Sequence, residues 1–474
     1  MDSRVATGLV FFTSALILVL EIVAGRLMAP YVGVSLEAFT GIIGTVLAGI
    51  ALGSAVGGML ADRQDPRRLI GLALLFGGGL TFLSVPIVVT LGPGMSATPV
   101  NIVVLTACAF FLPTSVLSSI SPMVAKLRLD SLEETGAVVG RLSAAGTVGA
   151  LVGTFGTGFI LLGLFPIRAI IFVIAGLLTL TGVLVLLRVA KERPDGFQSS
   201  LVAIAAFLCL GVSNQCDVET DYSCARVVPD EDRAGGRSLI LDRVRHAHVD
   251  LDDPTHLEIR YAQLLGAVID GMPAGALDTL HVGGGGFSIP RYVSATRPDS
   301  TNVVLEIDEG LVDIARDELG LADAQNLDIR IGDARLEFEP LPTDGFDVIV
   351  GDAFGGDVVP WHLTTSEAVA EYDRLLRTDG VYVMNLIDGD ESRFARAQMA
   401  TLAEHFDHVA VMLPEGDLPS VPYNQIIVAS DAPLPAVTIP EGAGTLLEGA
   451  DAMRYIGDAQ ILTDDFAPAE QLKQ

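Results

Sequence analysis

Four consecutive glycines, Gly283 to Gly286, follow an apolar run that ends at Val282, and a second apolar run ends in Glu306-Ile307-Asp308. Glycines let a backbone turn sharply and approach a ligand, and an acid about 20 residues further on can accept ribose hydroxyls. Two more apolar runs end in Gly332-Asp333-Ala334 and in Gly351-Asp352-Ala353-Phe354. Four strand ends that each carry glycine or carboxylate point to one pocket at the carboxyl edge of a parallel sheet. Gly283, Gly284, Gly285, Glu306, Asp308, Asp333 and Ala334 are therefore the expected nucleotide-binding set. Glu306 suits the ribose, and Asp333 suits either a purine amino group or the cap of the next helix. Asp352 ends a very apolar strand, where a partly buried carboxylate can hold an amine nucleophile or take its proton.

These residues need a scaffold of alternating strands and helices. Strands are expected at 277–282, 302–307, 327–331, 346–351, 380–386, 408–413 and 425–430, with helices at 288–296, 309–319, 366–377 and 391–405. Residue alternation over 237–242 and 245–251 predicts a small β element ahead of that sheet. If the latter stretch is a strand, His246, His248, Asp250 and Asp252 share one face. A polar strand face is the expectation there, with a metal site as the alternative.

The first half of the chain differs in kind. Of 474 residues 50% are hydrophobic and the mean hydropathy is +0.51, an excess that lies almost wholly before residue 215. Segments near 8–28, 38–60, 69–92, 101–125, 137–163 and 166–188 are long enough to cross a bilayer, and 199–214 is a shorter candidate. Glycines at four-residue spacing, Gly49, Gly53 and Gly57, then Gly149 and Gly153, let helix backbones pack closely. Arg63, Arg67 and Arg68, then Lys126, Arg128 and Arg141, then Arg188, Lys191 and Arg193 border the exits of the even-numbered spans. By the positive-inside rule the amino terminus is cytoplasmic. Six spans leave the remainder inside; seven put it outside, where Cys216 and Cys224 can pair in an oxidising compartment. Glu21, inside the first span, is a functional candidate or a partner for Arg26. The loop at Gly57-Gly58-Met59-Leu60-Ala61-Asp62-Arg63 looks like that between the second and third helices of major-facilitator transporters.

Three parts follow: 1–215 as a multi-pass helical membrane bundle, 216–275 as a small β-rich part, and 276–474 as a Rossmann-like α/β domain of the class I methyltransferase type. A formal net charge of -29 excludes a nucleic-acid partner, which needs a basic footprint. The expected location is the cell membrane, with the soluble part cytoplasmic if 199–214 does not cross. A homodimer is compatible with the sequence but not required by it.

With these residues in place, the stretch from Glu219 to Ser430 resembles the spermidine synthases, the polyamine aminopropyltransferases. The whole chain resembles a membrane-fused branch of that family. Leu363-Thr364-Thr365 and Leu462-Thr463-Asp464-Asp465-Phe466-Ala467-Pro468 fit that branch. The resemblance implies no permanently bound cofactor and no metal. It implies decarboxylated S-adenosylmethionine as co-substrate, and a small-molecule amine acceptor served by Asp352, Tyr261 and Gln263. Three departures stand out. Gly286 and Gly355 occupy positions where the family has acids, and Gln263 stands where it has glutamate. Each lost charge-assisted contact costs about 1.5–3 kcal/mol, so putrescine is expected to be poorly held. The alternatives are an S-adenosylmethionine-dependent methyltransferase with an unusual acceptor, and a non-catalytic transporter or sensor that binds a nucleotide or polyamine.

Overall fold

The computed structural model describes residues 2–96, 98–129, 135–212, 215–321, 326–414 and 422–473. These form two compact units, Met1–Cys224 and Ala225–Gln474.

In the first unit, six helices are long and apolar enough to cross a membrane: Ser3–Val32, Leu36–Arg63, Pro66–Gly94, Pro99–Arg128, Thr135–Leu164 and Ile167–Ala190. Their starts follow ordinary capping chemistry, because a side-chain oxygen can satisfy one of the free N–H groups of a first turn. Ser35 accepts from Ala38 N, and Asp65 accepts from Arg67 N just ahead of Pro66. The glycine stripes are contact surfaces. A Cβ at Gly53 would lie 1.9 Å from the Ser115 carbonyl oxygen, and one at Gly149 would lie 2.2 Å from that of Phe11. The second helix thus meets the fourth, and the fifth meets the first, at backbone distance.

The shorter apolar segment is a helix, Gly196–Gly211, of 16 residues. Positions 213–214 of the segment expected there lie outside the described residues. The residues that follow are fastened to two of the long helices. The Arg26 guanidinium donates to Thr220 O at 2.5 Å, and Ile167 N donates to the Glu219 carboxylate at 2.8 Å. Arg168 donates to Cys209 O and Val212 O at the end of the short helix. Arg26 therefore serves a backbone carbonyl and forms no ion pair with Glu21 among the described residues. This segment contains a two-residue strand, β1 (Val218–Glu219), and is closed by a disulfide between Cys216 and Cys224.

The second unit opens with antiparallel strands β2 (Cys224–Pro229), β3 (Gly236–Leu241) and β4 (Val244–Asp250). The main sheet follows, with β5 (Asp278–Val282), β6 (Thr301–Glu306), β7 (Leu327–Ile331), β8 (Phe346–Gly351), β9 (Leu376–Asp388), β10 (His408–Leu413), β11 (Tyr423–Ser430) and β12 (Thr445–Leu447). Its order is β12-β10-β11-β9-β8-β5-β6-β7. The five strands β7, β6, β5, β8 and β9 run parallel, while β11, β10 and β12 pair antiparallel. Helices on both faces make the central strands apolar throughout, as in Val348-Ile349-Val350, each at most 1% exposed. Strand order reverses between β5 and β8, and ligands bind at such a switch point.

No expectation from the sequence covers β2, β12 or several helices, of which one bears on the site. Arg260–Gly271 is a helix that packs through Tyr261, Leu264, Leu265, Val268 and Ile269. Its first turn lacks a side-chain cap, because the preceding residue is Ile259.

Candidate functional site

The loops after β5, β6, β7 and β8 surround one cavity of about 120 Å³. Gly283, Gly285, Glu306, Asp333, Ala334 and Asp352 line it, joined by His246, Phe354 and His362. The glycine loop is built for close approach. Gly283 has φ +97°, and a Cβ there would lie 2.6 Å from Asp352 O; Gly285 has φ +50°. Glycine adopts these torsions without the steric cost that a side chain meets.

The loop is ordered by Glu306, whose carboxylate accepts from Gly284 N at 2.8 Å, Gly285 N at 3.1 Å and Asp308 N at 2.9 Å. Three backbone donors occupy its oxygens, and a carboxylate offers about four lone-pair sites, so one is left for a ligand hydroxyl. Asp333 takes the expected capping role and also reaches the cavity wall. It caps the short helix Ala334–Glu337 through Arg335 N, and its carboxylate lines the cavity 3.2 Å from His362 Nε2.

Asp352 is half-buried at the end of β8. Asn385 on the neighbouring β9 donates to its Oδ1 at 2.8 Å, and Asn424 on β11 donates to the Asn385 oxygen at 2.9 Å. Burial outweighs that hydrogen bond and pushes the carboxyl up to about 7. His246 is pushed down to about 4 by burial and so stays neutral at ordinary pH; its ring lies edge-on to Phe354 at 6.4 Å.

Several expected site residues stand elsewhere. Asp308 is 2% exposed and caps the helix Glu309–Glu318 through Gly310 N. Gly284 shapes the loop beneath the cavity instead of lining it, with Phe287 and Glu306 against its α-carbon. Tyr261 is buried, donates to His246 O at 2.6 Å and is held protonated by burial and by the nearby Asp352. Gln263 lines a different cavity and donates to Leu257 O and Glu258 O. Residues i and i+2 diverge on a helix, so Tyr261 and Gln263 cannot serve one pocket as they would from a strand. His246 does reach the site, and Asp250 pairs with Arg233.

Two positions that the resemblance assigns to an amine acceptor are filled in other ways. A Cβ on Gly286 would fall 2.5 Å from the Ala247 Cβ, so the position lacks both an acid and the room for one. Asp357, the acid nearest the lost position at Gly355, is bound by the ammonium of Lys473 at 2.7 Å. The two sequence phrases at 363–365 and 462–468 meet: Thr365 donates to Asp464 at 2.7 Å, and Arg335 pairs with the same carboxylate. Asn385 and His362 were absent from the expected set. A lone asparagine inside the apolar run Val381 to Leu386 was the available signal for the first.

No protein-family model matches the chain. A polyamine aminopropyltransferase from Vibrio vulnificus (strain CMCP6) is 29% identical over 211 residues, which cover 41% of this chain and 69% of that protein. The crystal structure of a probable spermidine synthase from Corynebacterium glutamicum ATCC 13032 superposes with a TM-score of 0.50 at 25% identity, over 54% of this chain and 99% of that one. The C-terminal unit is thus an α/β domain of the methyltransferase-like Rossmann class. Within that class it is homologous to the spermidine synthases.

Proposed function

We propose that the C-terminal unit is a transferase that moves an aminopropyl group from decarboxylated S-adenosylmethionine to an amine. The observation that carries this reading is Asp352, a carboxylate with its pKa near 7, facing the cavity beside the glycine loop. In the proposed reaction the amine nitrogen attacks the methylene next to the sulfonium sulfur. The carbon–sulfur bond breaks, methylthioadenosine leaves, and the amine proton passes to Asp352. Sulfur is already a good leaving group, so the protein needs mainly to align the reactants and accept that proton. Gly283, Gly285 and Ala334 would bound the donor, with Glu306 at its ribose and Asp333 at its purine amino group. The closed position at Gly286 and the Lys473–Asp357 pair favour an acceptor with less positive charge than a diamine.

Incubation of the purified full chain with decarboxylated S-adenosylmethionine and a panel of amines is expected to release methylthioadenosine. The rate should climb as pH rises towards 7 and then level off, because the base must be ionised to accept a proton. Methyl transfer from S-adenosylmethionine, with no methylthioadenosine from its decarboxylated form, would replace this reading by a methyltransferase. Failure to bind either compound would leave a sensor or transporter.

We further propose that the first unit spans a membrane, with its amino terminus inside and the Cys216–Cys224 segment on the opposite, oxidising side. Charge bias puts the end of the first helix and the start of the sixth on that side. Both are tied to this segment by Arg26 and Glu219. The disulfide supports the same side, against the cytoplasmic placement that six spans alone would give. The 16-residue helix then completes the return crossing. In intact cells, an impermeant thiol reagent should label Cys216 and Cys224 after treatment with an impermeant reductant. Labelling only after the membrane is opened would reverse the assignment. Adenosyl donors are made in the cytosol, so an outward domain would need its donor to cross the membrane.

A further inference from the structure

We propose that His248, His256 and Glu258 form a binding site for one divalent transition-metal ion of the zinc class, with solvent completing its coordination. One ligand atom from each of the first three lies within 4.8 Å of the others. His248 Nε2 stands 3.2 Å from Glu258 Oε2 and 3.2 Å from Asp230 Oδ2. Two ligands about 2.0–2.2 Å from zinc in tetrahedral array are roughly 3.3 Å apart, so the spacing already matches the edge of such a site.

The charge pattern points the same way. One ring nitrogen carries at most one proton, yet two carboxylates converge on it. Arg233 is the cation whose charge reaches Asp230, and its own ion pairs are with Asp250 and Asp253. Arg245 takes the other oxygen of Glu258, Oε1, at 2.5 Å and leaves Oε2 turned towards the histidine. The His248 side chain is fully buried, which favours a preformed position over a solvated surface cluster. Two imidazole nitrogens and a carboxylate oxygen suit zinc better than calcium or magnesium, which prefer oxygen alone.

The scaffold explains how distant residues meet. His248 lies on β4, Asp230 follows β2, and His256 and Glu258 lie in the loop before the helix Arg260–Gly271. Gln263, which does not reach the main cavity, fixes that loop through Leu257 O and Glu258 O. An ion here would fasten the loop to the strand that sends His246 into the cavity. One element of a strong site is missing, because His248 Nδ1 is buried without a protein partner. Loss of such an outer hydrogen bond typically costs about 10–100-fold in affinity, so moderate affinity is expected.

The test uses the full chain purified in detergent, stripped with a chelator, reloaded with Zn²⁺ and desalted. About one zinc per chain is expected by elemental analysis, with a rise in the melting temperature on loading. His256→Gln and Glu258→Gln should each weaken zinc binding at least tenfold and abolish that rise, while Asp252→Asn should change neither. Co²⁺ in place of zinc should show the visible absorption of a tetrahedral site. Absence of stoichiometric zinc from the wild-type chain would overturn the proposal. So would equal retention by His256→Gln and Glu258→Gln, provided their metal-free melting matches that of the stripped wild type.

Discussion

Replacement of Asp352 by Asn is expected to lower turnover by about 10²–10⁴-fold, the usual contribution of a positioned general base, with donor binding nearly unchanged. Asn keeps the size of the side chain and can still accept from Asn385. The lost quantity is proton affinity alone. The same variant has a stability signature whose sign follows from linkage. An aspartate whose folded pKa lies near 7 is penalised for ionising in the folded state, relative to an ordinary value of 3.8. Below the unfolded pKa both states are protonated and there is no penalty; it grows as pH rises and is complete above about 7. Each pKa unit corresponds to about 1.4 kcal/mol. Asp352→Asn should therefore melt higher than the wild type at pH 8, with the difference shrinking towards pH 4. Melting curves at the two pH values, beside single-turnover assays, check both halves. A variant that is inactive and also less stable at pH 8 would point to a structural role instead.

Gly286→Asp, the substitution that would restore the acid of the resembled enzymes, is expected to destabilise the domain without conferring diamine turnover. The new Cβ would lie 2.5 Å from that of Ala247, and overpacking of this kind costs about 1–3 kcal/mol. Ala247 is 3% exposed in a core with Phe287, Leu239 and Val249, so β4 cannot simply swing away. The paired variant Ala247→Gly with Gly286→Asp should regain most of the lost stability. Thermal melts of the single and double variants measure the coupling. An unchanged melting temperature in Gly286→Asp would show that the loop yields there.

The parallel sheet was legible because its strands are short apolar runs bounded by turn residues, and four of them end in the glycines and acids that mark a ligand edge. Glu306 and Asp352 follow from position alone, since each closes a strand at that edge. Tyr261 and Gln263 were expected from the resemblance alone, with no helix expected around them. The helix that carries them starts without a capping side chain, although its apolar residues at 261, 264, 265, 268 and 269 repeat at helical spacing. The ion pairs around the cavity loops were not legible, because they join distant residues. Lys473 meets Asp357 across 116 residues, and Arg335 meets Asp464 across 129. The cluster at His248 was half legible: the strand face was expected, but its partners come from Asp230, His256 and Glu258 and not from Asp250 or Asp252.

The three backbone bonds to Glu306 also bear on the kinetics of encounter. A glycine-rich loop normally loses conformational freedom when it closes on a ligand, and that loss subtracts from affinity. Here the chain's own carboxylate has already ordered Gly284 and Gly285. Donor association should therefore proceed in one fast phase, without a slow loop-ordering step. Glu306→Gln would convert one acceptor oxygen to a donor and return that ordering cost to the ligand.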